Sequence, residues 1–116
     1  MKTGEFERGL AHFNAQEFFT AHEVWEEIWL RTAAPEKTLL QGLIQIAAAF
    51  HHYGLGNVRG AKSLAAAGIG KLSKSPDGYR GIDVARLVSE TQTWIDALTE
   101  DRQAGEFYPP EIHPIG

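Results

Sequence analysis

Residues 39–50 constrain this chain more than any other segment. Leu39, Leu40, Leu43, Ile44, Ile46, Ala47, Ala48, Ala49 and Phe50 surround the axis once the segment is wound into a helix. A helix that is apolar on nearly all sides must be enclosed by other helices, so this one predicts the centre of a bundle. Pro35 suits its first turn, Glu36 follows near the positive end of the dipole, and Gly54 is a natural stop after Tyr53.

The flanking segments supply the surroundings. Phe6, Leu10 and Phe13 form one stripe of a helix over about 4–13. Phe18, Ala21, Trp25, Ile28 and Trp29 share a face of a second helix that runs to about residue 31. Asn14 with Glu17 makes a capping box for its start, and Thr20 with Glu23 makes a rival one. Asn57 caps a fourth helix that ends near Leu72, and Asp83 caps a fifth that ends near Leu98. Gly60, Gly68 and Gly70 each cost up to ~1 kcal/mol inside a helix, a cost that close helix–helix approach offsets. Between these helices, Pro76-Asp77-Gly78 marks a turn-rich link over 73–81. The prediction is an all-α, single-domain bundle of about five helices over residues 1–104. Two antiparallel hairpins and a closing helix compose it, and an extended Pro-containing tail covers 105–116. No alternating strand pattern competes.

Composition narrows the function classes. The 116 residues suit one domain, and a 43% hydrophobic content is enough for an ordinary core. The absence of cysteine excludes disulfides and thiolate metal sites and agrees with a reducing compartment. A net charge of −4 is the wrong sign for general nucleic-acid binding. Residues 1–15 are interrupted by Lys2, Glu5, Glu7 and Arg8, unlike a signal peptide. The longest apolar run, 46–50, is far below the ~20 residues of a membrane span. A cytoplasmic protein is the expectation, with its partner and oligomeric state unspecified.

Two segments match at an offset of 40: His12-Phe13 with His52-Tyr53, Phe18 with Val58, and Ala21 with Ala61. Pro35 and Pro76 close the two units. The pattern resembles the tetratricopeptide helical hairpin, in which a turn glycine and a small alanine let antiparallel helices pack closely. Its period is longer than the usual 34 residues, and Gln16 stands where the glycine belongs. The repeat predicts that helices one–two and three–four are antiparallel pairs.

Chemistry concentrates on two helices. His22 and Glu26 lie one turn apart, with Glu23 and Glu27 beside them. An imidazole and a carboxylate at that spacing can share a metal ion, or the carboxylate can orient the imidazole for acid–base work. On the central helix, Gln41, Gln45 and His52 recur at four and seven residues as a polar stripe. Buried amides and imidazoles without partners are costly, so such a stripe calls for an explanation. If it faces helix two, then His22, Glu26, Gln45 and His52 converge. Two readings follow. In one, His22, Glu26 and His52 hold a divalent metal such as zinc, manganese or iron, and Glu26 or Glu23 serves as general base in metal-assisted hydrolysis. Gln41, Gln45, Trp29 and Asn57 then contact a small ligand. In the other, the polar residues form a buried hydrogen-bond network that fixes helix register, and the chain is a tetratricopeptide-like interaction module. His51 lies off the stripe, beside Ile44 and Ala47. Lys71, Lys74 and Arg80 read as a modest solvated basic region.

Phe13-Asn14, Phe18, Ala21-His22-Glu23-Val24-Trp25-Glu26, Trp29, Gln41-Gly42-Leu43-Ile44-Gln45, Gly56-Asn57 and Gly60-Ala61 together resemble the domain of unknown function 309 family. The resemblance covers about residues 5–72. It implies a small bundle of about five helices and no established activity. It also implies that His22, Glu23, Glu26, Trp29, Gln41, Gln45, His52 and Asn57 occupy the family's characteristic polar and aromatic positions.

Overall fold

The computed structural model describes residues 4–75, 78–100 and 109–115. Five α-helices follow one another: α1 (Glu5–Asn14), α2 (Phe18–Leu30), α3 (Glu36–Gly54), α4 (Val58–Leu72) and α5 (Val84–Thr99), with one 3-10 turn at Tyr79–Gly81. Among the described residues the only strand-like pairing is an isolated antiparallel bridge between Ile82 and Pro114. The fold is therefore all-α, as the periodicity predicts. The helices pack in chain order, α1 on α2, α2 on α3, α3 on α4 and α4 on α5. α3 is the central element, with Leu40, Leu43, Ile46, Ala47 and Ala49 fully buried. No described helix is long and apolar enough to cross a membrane.

The repeat is visible in the backbone. Gln16 has φ 64° and Gly56 has φ 85°, both left-handed, each just beyond a helix end. The Glu17 N–H donates to His12 O at 2.8 Å and the Gln16 N–H to Phe13 O at 2.9 Å. Forty residues on, the Asn57 N–H donates to His52 O at 2.9 Å and the Gly56 N–H to Tyr53 O at 3.0 Å. Each turn is thus a Schellman motif, with its left-handed residue directly after the helix cap. Ala21 and Ala61, the matched alanines, are fully buried. The two hairpins share one turn geometry although only the second has the glycine that suits it.

Glycine elsewhere sets how closely helices approach. A Cβ at Gly9 of α1 would overlap the Trp25 indole, so the indole lies directly on the α1 backbone. There it is fully buried, donates from Nε1 to Phe6 O at 3.1 Å, stacks on Phe6 and packs at a tilt against Phe13. In the second hairpin Gly42 and Gly68 meet. A Cβ at Gly68 would stand 2.7 Å from Gly42 O, and one at Gly42 would stand 3.1 Å from Gly68 O. Close approach therefore accounts for Gly68. It does not account for Gly70, around which space is open, or for Gly60, which lies under the Asn57 cap.

Several local expectations change. Asn14 does not cap α2. It is the last residue of α1, and its amide grips the backbone of Ile112, accepting from N at 2.8 Å and donating to O at 2.9 Å. α2 begins after Glu17 with no side-chain cap, so the Thr20–Glu23 alternative also fails. Asn57 and Asp83 do cap α4 and α5, accepting from the N–H of Gly60 and Arg86. Residues 109–115 are extended and docked. Ile112 is buried, Asp83 N–H donates to His113 O, and Ile115 N–H donates to Gly81 O. The boundary expected near residue 105 lies outside the described residues. Arg80 is not merely solvated, since it pairs with Glu36 at 3.2 Å and covers the Phe6 ring. Tyr79 beside it is buried, and that burial raises its phenol pKa above the ordinary value.

Two outcomes follow, both measured as urea-unfolding free energies. Gly68→Ala overpacks the α3–α4 contact and lowers stability by about 1–3 kcal/mol, whereas Gly70→Ala raises it by up to ~1 kcal/mol. Gln16→Gly relieves a left-handed side chain and raises stability by about 0.5–1 kcal/mol, whereas Gly56→Ala lowers it.

Candidate functional site

Trp25 and Ala21, the two buried residues of α2, fix the rotation of that helix. One turn from Trp25, His22 falls at the boundary between core and solvent, with Glu26 further out. Phe19 reaches across the same boundary. Opposite them α3 presents Ala48, His51 and His52. The small Ala48 side chain leaves a cavity of about 110 Å³ lined by Phe19, His22, Ala48, His51 and His52. The Phe19 ring lies 6.1 Å from the His22 ring and 5.2 Å from the His51 ring, and His51 and His52 are 6.0 Å apart, all between centroids.

His22, Trp29, Thr91 and Trp94 each carry a buried polar atom without a partner among the described residues, and of these His22 is the one that lines the cleft. The His22 Nε2 stands 3.2 Å from Glu26 Oε2, and its Nδ1 is buried with no hydrogen-bond partner among the described residues. A neutral imidazole has one donor and one acceptor nitrogen. An imidazole protonated at Nε2, the nitrogen that stands against the Glu26 carboxylate, leaves the buried Nδ1 with the lone pair. A buried polar atom left unpaired costs about 1–3 kcal/mol, so this nitrogen is held at a cost to folding.

The residues singled out in the sequence divide. His22 and Glu26 meet as the one-turn spacing predicts. His52 lines the cleft, but its Nδ1 stands 3.4 Å from Asn57 Nδ2 of the α4 cap. Its counterpart in the first hairpin, His12, pairs Nδ1 with Glu17 at 2.9 Å. His52 therefore repeats a turn-bracing position, and Asn57 belongs to that turn, not to the cleft. Gln45 does not converge on His22. Its Oε1 accepts from Lys71 Nζ of α4 at 2.9 Å, so the polar stripe of α3 meets α4 there. Gln41 does not line the cleft either. Trp29 is part of the packed layer, covered by Lys37 Nζ at 4.2 Å from its ring centre, and its Nε1 is buried without a partner among the described residues. Glu23 is exposed. Among the described residues, no three His, Asp or Glu side chains are grouped so as to hold a metal ion. His22, Glu26 and His52 thus do not form a gathered metal centre in this structure.

Sequence reasoning misses His51 and Phe19 as site residues. Their signal is present as spacing: Phe19 and His22 on one helix, Ala48 and His51 on the next, each three apart. An alanine between an aromatic and a histidine is the kind of gap that such a pairing leaves open. Chemically, the arrangement is an imidazole beside a carboxylate, with an unpaired inner nitrogen and a small cleft next to the ring, a combination that suits proton transfer or acceptance of a hydrogen bond.

Comparison with known proteins places the chain in a family. An uncharacterized protein of Aquifex aeolicus (strain VF5) is 28% identical over 101 residues, which make up 86% of this chain and 28% of that protein. The chain therefore spans 28% of the length of that relative. The crystal structure of a conserved hypothetical protein from Thermus thermophilus superposes with a TM-score of 0.64 at 31% identity, covering 83% of this chain and 100% of that one. The family model for the domain of unknown function DUF309 matches residues 6–64, a span that holds both hairpin turns, His22, Glu26 and the whole cleft. The chain belongs to the DUF309 family.

Proposed function

We propose that the cleft between α2 and α3 binds the polar end of a small ligand, with His22 as the residue that meets it. The supporting observation is the buried, unpartnered Nδ1 of His22 on a side chain that lines the cavity. Glu26 stands 3.2 Å from the other ring nitrogen, where its negative charge favours a proton on Nε2. The cavity of about 110 Å³ holds only a few non-hydrogen atoms, since a water molecule takes ~30 Å³ in the liquid. The guest is a hydroxyl, amide N–H or protonated acid, and it reaches Nδ1 by a small turn of the His22 ring, since that nitrogen has no exposed surface in the ligand-free protein. If the guest also reacts, His22 is the general base, and Glu26 is its positioning partner in place of being the base itself. A metal ion fits less well, because the described residues offer no third ligand of the usual kind beside the two.

Stability and binding test this reading together. His22→Phe removes the stranded nitrogen, so it is expected to be neutral or to stabilise by about 1 kcal/mol in urea unfolding. His52→Ala, which loosens the α4 cap, is expected to cost about 0.5–1 kcal/mol. Millimolar small alcohols, amides and carboxylic acids are then titrated while the histidine ring resonances are followed, with zinc and manganese in parallel. At least one organic fragment is expected to move His22 and His51 in the wild type and to leave His51 unmoved in His22→Phe. A loss of more than about 1 kcal/mol in His22→Phe, with no fragment moving His22, makes the pair structural. A shift by metal alone replaces the small ligand with an ion.

A further inference from the structure

α2 is apolar for a helix so little buried. Beyond the buried Ala21 and Trp25, Phe18, Ile28 and Trp29 pack half-buried against the core, which leaves Phe19 and Leu30 as the exposed large apolar side chains of α2. Its outer face holds a shallow groove of about 480 Å³ bounded at its ends by Phe19 and Leu30, which are 51% and 67% exposed. Those ends are eleven residues apart, about 16 Å along the axis at ~1.5 Å per residue. Between them the groove is acidic. Glu23, Glu26 and Glu27 line it, and residues 18–30 include no Lys or Arg. Among the described residues no lysine or arginine side chain pairs with any of the three carboxylates. Arg31, the nearest cation in the sequence, is turned to Glu5 and to the main-chain oxygen of Glu27.

We infer that this face docks a basic amphipathic helix of another protein. Two apolar anchors of the incoming helix would seat against Phe19 and Leu30, with its lysines and arginines over Glu23, Glu26 and Glu27. Charge complementarity selects this occupant. A second copy presenting the same face would oppose carboxylate to carboxylate, and anionic lipid or nucleic acid is repelled for the same reason. A helix laid in an apolar groove with anchors at one-turn multiples is an established mode of recognition. The groove shares Phe19 and His22 with the ligand cleft, but Glu23, Glu27 and Leu30 do not line the cleft, so variants at those three positions separate the two readings.

The test uses the full chain and a labelled synthetic helical peptide of about 18 residues, long enough to span the groove at ~1.5 Å per residue. It carries leucines along one face and lysines elsewhere, and binding is read by fluorescence anisotropy and amide chemical shifts. A scrambled peptide of the same composition is the control. The expected result is saturable binding that shifts α2 amides from Phe19 to Leu30 and weakens as salt rises. The double variant Glu23→Gln with Glu27→Gln is expected to weaken binding about fivefold, and Leu30→Ser by a similar factor, whereas Glu90→Gln on α5 leaves it unchanged. The substituted positions on α2 are exposed, so the variants retain the helical spectrum that confirms folding. Equal affinity for the scrambled peptide, shifts centred away from α2, or α2 variants that bind like the wild type would each overturn the inference.

Discussion

The contact on which the rest of the arrangement depends is the Trp25 indole against the α1 backbone at Gly9. It is possible only because Gly9 has no Cβ, and it fastens α2 to α1 by a buried hydrogen bond and two ring contacts. A helix held by one large buried side chain has its rotation fixed, and every other residue then takes its place on the wheel. With Trp25 inward, Ala21 packs below it, His22 comes to the α3 boundary, and Glu23, Glu26 and Glu27 are left outside. A different rotation of α2 would bury carboxylates or expose the indole, and both are costly.

The second hairpin solves the same problem differently. Gly42 and Gly68 bring two backbones together with no aromatic between them, and α3 gains a close neighbour on that side. Its opposite side, toward α2, is less tightly filled because Ala48 faces Phe19 and His22. The cleft is thus a product of asymmetry between two hairpins that share a turn. The extended segment around Ile112 closes the far end by borrowing the amide of Asn14, a side chain that satisfies one backbone N–H and one carbonyl as a neighbouring strand would.

Much of this is legible in the sequence where the cause is local. The all-round apolarity of residues 39–50 announces a central helix, and the Asn57 and Asp83 caps act over three residues. The 40-residue match identifies two related turns, down to Gln16 in the place of a glycine. Where the cause is remote, the sequence is silent. Asn14 reads as a cap because its partner, Ile112, is 98 residues away. A helical wheel tells that Gln41, Gln45 and His52 share a stripe but not which neighbour the stripe meets, and Lys71 of α4 takes Gln45. By spacing alone, His51 groups with Ile44 and Ala47. It reaches the cleft because α2 offers Phe19 there, which only the packing of the two helices decides.

The claim that joins fold to function is that this packing leaves His22 with its inner nitrogen bare. Long-range proton–nitrogen correlation spectra of the imidazoles, recorded on the ligand-free protein at neutral pH, read this directly. His22 is expected to be the Nε2–H tautomer, favoured by the Glu26 charge, with an unprotonated Nδ1, and Glu26→Ala is expected to let both tautomers appear. A His22 ring protonated on Nδ1 in the wild type, or a tautomer indifferent to Glu26, would contradict that claim.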